Sequence, residues 1–273
     1  MVESMESRYL PSADRLSMLA AVILLAYSLT PFVDLPGRDI SIELPGFFLS
    51  VEINIRTAVA FLVACLTASG VDWLLRDHPA IAEGSTVQHW FLPSLTAWVL
   101  GLSLFQLPFG MVWLAVFATG GILLMLVMIA EYIVVDPQDI RYALASAGLI
   151  AVSFALFLTL AIVLHSAGTR LFLILPALML AGGLVSLRTL RLRTQSSLDF
   201  LATLVTVLVL GQFAAALHYW PLSSITYGLA VLGPTYAMTT LVSGLDEGKS
   251  LRQAMLEPAL VLLVVLIAAL WTR

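Results

Sequence analysis

Nine long apolar segments dominate this chain, and they constrain its fold more than any other feature. They run approximately over 16–33, 57–75, 90–107, 110–132, 142–164, 171–187, 200–218, 222–243 and 256–271. A helix of about 20 apolar residues, rising ~1.5 Å per residue, crosses the hydrocarbon of a bilayer. Charged residues make up only 11% of the 273 residues. A soluble domain carries roughly 25%, because water must wet its surface. Run length and composition therefore point the same way. The expected fold is all-α: a polytopic transmembrane helical bundle, residues 1–273 forming a single integral membrane domain. Nine spans are expected, or eight if the short last segment lies in the interface.

Net charge and residue types exclude several classes. The formal charge is −4, the wrong sign for a nucleic-acid binder. Lys249 is the only lysine, so no polybasic lipid-binding tail exists and no lysine lies within a span to carry a retinal Schiff base. Cys65 is the only cysteine, which rules out an intrachain disulfide and a cysteine-rich metal site. No cofactor is implied. The first apolar segment follows Arg8 and Arg15, as in a signal peptide. It is longer than a typical apolar core of such a peptide, and no A-x-A cleavage site follows, so a retained first span is expected.

Basic residues set the orientation. With the N-terminus cytoplasmic, the inside segments hold Arg8, Arg15, Arg76, Arg141, Arg188, Arg191, Arg193, Lys249 and Arg252, against Arg38, Arg56, Arg170 and Arg273 outside. Short cytoplasmic loops carry the excess of Arg and Lys. The sequence thus predicts a cytoplasmic N-terminus and, with nine spans, an extracytoplasmic C-terminus.

The turn Gln106-Leu107-Pro108-Phe109-Gly110 predicts a tight helical hairpin between the third and fourth segments. In the first outside loop, residues 39–44 and 47–54 alternate polar and apolar around Pro45-Gly46. That pattern predicts an extracytoplasmic β-hairpin at about 39–54. Its apolar face would need cover from the bundle, the lipid or a partner protein, since a lone hairpin is barely stable in water. Ala143, Ala147, Ala151 and Ala155 form a small-residue stripe, which predicts a central, closely packed fifth helix.

Chemistry in a membrane is sought first at its ionisable groups, which are costly there. Asp72, Arg76, Asp77 and His78 end the second segment, His89 and Trp90 open the third, Glu131 and Tyr132 close the fourth, and Asp136 and Arg141 follow. All fall at one leaflet. Asp72, His78, His89 and Glu131 are the candidate catalytic residues, able to do acid–base work or hold a divalent ion. No established ligand spacing such as H-E-x-x-H accompanies them, so no metal site is assigned. The plainer reading pairs Asp72 with Arg76, four residues on along one helix face. A second candidate region is the eighth segment. Gly233-Pro234 at mid-span can unwind a helix and expose carbonyls to a solute, with Gln212, Thr226, Gly233, Thr235 and Tyr236 as substrate-binding candidates. In the plainer reading the hydroxyls satisfy the bonds that the proline frees.

Three segments carry a resemblance: Ser69-Gly70-Val71-Asp72-Trp73-Leu74-Leu75-Arg76-Asp77-His78-Pro79, His89-Trp90-Phe91-Leu92-Pro93 and Ala130-Glu131-Tyr132. Together they resemble a family of uncharacterised bacterial multi-pass membrane proteins, a domain of unknown function. The resemblance implies a helical membrane fold in a bacterial inner membrane, and no activity. The functional expectation is a non-enzymatic membrane component, whether scaffold, assembly factor or subunit. A transporter of a small solute or lipid, and an enzyme acting on a lipid at the cytoplasmic leaflet, are the alternatives. The expected partners are membrane lipids and a membrane protein docking on the 39–54 hairpin, with no nucleic acid.

Overall fold

A computed structural model describes residues 10–32, 38–44, 47–53, 55–81, 85–194 and 199–271. Nine α-helices occur among them: α1 Ala13–Leu29, α2 Ile55–Leu75, α3 Phe91–Gln106, α4 Met111–Ile133, α5 Tyr142–Ser166, α6 Leu171–Thr194, α7 Phe200–His218, α8 Ser224–Asp246 and α9 Leu251–Trp271. Each corresponds to one apolar segment of the sequence. Eight are long and apolar enough to cross a membrane. The ninth is α3, whose 16 residues reach about 24 Å at ~1.5 Å each, short of the ~30 Å hydrocarbon layer. The sequence reading placed the doubtful span at the chain's end. There α9 has 21 residues, because it begins at Leu251 and carries Arg252 and Glu257 within its first two turns.

The expected extracytoplasmic β-hairpin is corrected: among the described residues the packed units are built from helices. Backbone at Arg38–Leu44 (β1) and Phe47–Ile53 (β2) pairs antiparallel, with Ile42 opposite Leu49. This two-stranded ladder joins no further strand among the described residues, and neither strand packs extensively on a helix.

The chain divides into two compact units, Met1–Val135 and Asp136–Arg273. In the first, α1 contributes Leu19, Ile23 and Tyr27 to a core completed by Val71, Leu74 and Leu75 of α2, Ala97, Leu100 and Leu104 of α3 and Leu124 and Met128 of α4. The Tyr27 hydroxyl donates to the carbonyl of Ala97 at 2.6 Å. Gly101, one turn further along α3, leaves room for the same ring: a Cβ there would lie 2.9 Å from Tyr27 Cε1 and 3.0 Å from Ala60 Cβ. The absence of a side chain thus lets three helices close on one another, as membrane packing requires.

In the second unit the small-residue stripe turns out to face outward. Ala143, Ala147, Ala151 and Ala155 are all exposed. The buried face of α5 is Ser146, Leu149, Ser153, Phe154, Leu156, Phe157 and Leu160. The larger side chains face the neighbouring helices, where the Phe154 ring meets Tyr236 of α8 and Phe157 lies against Gly182 of α6. Close approach occurs instead at Gly228 of α8, where an added Cβ would meet Ile162 and Leu158 of α5. The eighth helix runs unbroken from Ser224 to Asp246 through Pro234, so of the two readings of Gly233-Pro234 the unwound one does not form. Gly233 packs against Val265 and Leu262 of α9.

Candidate functional site

One end of the first unit collects its ionisable groups, because the start of α1, the end of α2, the start of α3 and the end of α4 lie there together. Arg15, on the first turn of α1, reaches the end of α2. Its guanidinium pairs with Asp77 at 2.7 Å, donates to the carbonyl of Trp73 at 3.2 Å and lies over the Trp73 ring at 4.5 Å. In the sequence Arg15 reads only as a basic residue flanking the first apolar segment. Its role was missed because nothing in the spacing of Arg15 and Asp77, 62 residues apart, signals contact.

Asp72 pairs with Arg76 at 2.8 Å, as two residues four apart on one helix face can, and also accepts from the Thr86 hydroxyl. His78 is buried. Its Nδ1 accepts from the backbone N–H of Ala80 at 3.1 Å, and its ring meets the edge of Tyr132 with centroids 4.6 Å apart. The deepest pair is His89 with Glu131. Nδ1 of His89 stands 2.8 Å from Oε2 of Glu131, the two side chains being 5% and 0% exposed, and Gln88 Nε2 lies 3.2 Å from the other ring nitrogen. A three-residue 3-10 turn, Val87–His89, carries the imidazole down to Glu131. Next to it, the Trp90 indole N–H and the Ser94 hydroxyl are buried with no partner.

The four candidate catalytic residues therefore share one end of the unit. His89 and Glu131 are brought together, Asp72 is engaged with Arg76 and Thr86, and His78 with Ala80 and Tyr132. Among the described residues, no three His, Cys, Asp or Glu side chains converge as ligands for a metal ion would. A cavity of about 170 Å³ lies elsewhere, at the α3–α4 turn between Thr30, Leu104, Phe109 and Trp113. It is separated from Glu131 by most of the length of α4, and it brings none of the candidates together.

The substrate-binding candidates are also dispersed. Gln212 is exposed on α7. Thr226 is buried in the first turn of α8, where Ser223 caps the helix by accepting from its N–H. Thr235 donates back to the carbonyl of Val231 at 2.9 Å within its own helix. The Tyr236 hydroxyl donates to Glu257 of α9 at 2.9 Å. The helices α6 and α8 meet through hydroxyls: Ser186 and Thr239 are hydrogen-bonded at 2.7 Å, both fully buried.

Sequence reasoning missed the second unit's buried cation. The hydropathy pattern ended the sixth segment at 187, but α6 continues to Thr194, and Arg188 within that extension is 2% exposed. A charge at the end of an apolar run reads as a loop unless its neighbours in space are known.

Helices of this length and apolarity define a membrane protein built of α-helices. The chain belongs to the family described as "Protein of unknown function (DUF5656)", whose model matches residues 35–272. No curated protein and no solved structure matches the chain.

Proposed function

We propose that this protein is a non-enzymatic component of a bacterial inner membrane, a scaffold, assembly factor or subunit, with its N-terminus cytoplasmic. The observation that carries this reading is the local pairing of the candidate acid–base residues. Asp72 is held by Arg76 and Thr86, His78 by the Ala80 backbone and the Tyr132 ring, and His89 by Glu131. Acid–base chemistry needs its groups within hydrogen-bond reach of one reacting centre. Groups that instead close on their neighbours lock helix ends together, which is what a scaffold requires.

The transporter reading rested on a broken eighth helix, and the unbroken α8 takes away its main support. The Arg and Lys distribution supports the orientation. The experiment is crosslinking in intact cells of the tagged full-length chain, followed by sizing of the crosslinked species. A discrete species larger than the chain, retained in the Asp72→Asn and His78→Phe variants, is the expected result. A chain that is never recovered in any crosslinked species contradicts the proposal.

A further inference from the structure

A second polar region lies in the second unit, where the end of α6, the end of α8 and the start of α9 come together. On α6, Ser186, Thr189 and Arg193 follow at three- and four-residue steps and so share one face. Arg193 donates to the Ser243 hydroxyl of α8 at 3.4 Å, and its guanidinium stands 4.0 Å from the Glu257 carboxylate of α9. Glu257 also accepts from Tyr236 at 2.9 Å, and its side chain remains 55% exposed. Deeper in the same ends of α6 and α8, the hydroxyls of Thr189 and Thr240 are buried without a partner, the two residues being 0% and 4% exposed. A buried hydroxyl left unbonded is costly, and such orphans in a native fold call for an explanation.

From Glu257 an apolar track runs along α9. Leu260 and Val264 lie three and seven residues on, on the same face, and are 64% and 55% exposed. They lead about 10 Å from the helix end toward its middle, at ~1.5 Å per residue. The arrangement is thus a cation with hydroxyl donors, an exposed carboxylate beside it, and an apolar strip leading into the bilayer.

We propose that this corner of the second unit binds one phospholipid with an ethanolamine headgroup. Arg193 and Ser243 hold the phosphate ester, and the orphan hydroxyls of Thr189 and Thr240 supply further donors beneath it. The ammonium, two carbons from the phosphate ester, pairs with Glu257, and an acyl chain follows Leu260 and Val264. Charge-assisted hydrogen bonds to phosphate are the strong ones, and the guanidinium suits that oxygen array. The carboxylate sets the selectivity. A glycerol headgroup brings it no cation, and a choline headgroup brings a quaternary ammonium with no N–H to donate.

The test is native mass spectrometry of the full-length chain, released from nanodiscs that contain equal parts of ethanolamine, glycerol and choline phospholipids. The expected result is one ethanolamine phospholipid per chain, favoured several-fold over the other two. Arg193→Gln should weaken lipid retention about tenfold, the loss of one charge-assisted contact. Glu257→Gln should keep a bound phospholipid but lose the preference for ethanolamine. Thr189→Val with Thr240→Val should weaken retention without altering that preference. Circular dichroism and monodispersity of each variant identify a failure to fold, and Ser243→Ala replaces Arg193→Gln if that variant misfolds. Equal retention of the three headgroups by the wild-type chain would overturn the proposal. So would displacement of the lipid by millimolar inorganic phosphate alone, which would assign the site to a free anion.

Discussion

Nδ1 of His89 stands 2.8 Å from Oε2 of Glu131 where α3 begins and α4 ends, and almost no solvent reaches either side chain. Removing one member of a buried pair strands the other in a low-dielectric interior, at a cost of about 3–5 kcal/mol. Glu131→Leu should therefore lower the unfolding midpoint of the purified chain sharply, and His89→Phe likewise. The double variant should be less destabilised than the sum of the singles, because neither polar group remains to be stranded. Thermal or denaturant unfolding in detergent checks this. Additive losses would show that the two residues are not coupled.

Asp72 and Arg76 form a looser pair, with Arg76 largely exposed. Exposed ion pairs contribute about 0–1 kcal/mol, so Arg76→Ala should shift the unfolding midpoint little. Asp72→Ala should cost more than Arg76→Ala, since it also strands the Thr86 hydroxyl. The same unfolding assay, run on both variants, orders the two effects.

Gly101 admits Tyr27 and Ala60 to the axis of α3. Gly101→Val should overpack that contact and cost about 1–3 kcal/mol. Tyr27→Phe, which loses only the hydrogen bond to Ala97, should cost about 1 kcal/mol. Comparing the two by unfolding separates packing from hydrogen bonding between α1 and α3.

The helix through Pro234 offers a test of a different kind. If α8 is a packing element, Pro234→Ala restores one backbone donor and leaves fold and assembly intact, with stability unchanged or raised. Loss of assembly in a variant that still folds would mean that the proline shapes a functional surface.

How much of this was legible in the sequence depends on the range of each signal. The nine helices were readable because lipid imposes a local rule: an apolar run of spanning length is visible without knowing its neighbours. The tight turn at Leu107-Pro108 was readable for the same reason. What depended on neighbours was not. The Ala143–Ala155 stripe satisfies the local pattern for close packing, but it is the opposite face of α5, with Phe154, Phe157 and Leu160, that packs on the neighbouring helices. Arg188 looked like a loop charge until α6 proved to continue past it.

The candidate site shows the same division. Asp72 with Arg76 lies four residues apart and could be inferred. His89 with Glu131 and Arg15 with Asp77 bridge different helices, so the sequence could place them only at a common end of the bundle. Which of the charges at that end touch, and which do not, is decided by helix rotation, to which hydropathy is blind.

The measurement that bears most directly on a non-enzymatic role is lipid turnover. Wild-type protein and the Asp72→Asn, His78→Phe and Glu131→Gln variants would be reconstituted in liposomes of native bacterial lipid, and the lipids followed by mass spectrometry. A composition indistinguishable from protein-free liposomes in every sample is predicted. A new lipid product that accumulates with the wild-type chain and disappears in any of these folded variants would contradict the account.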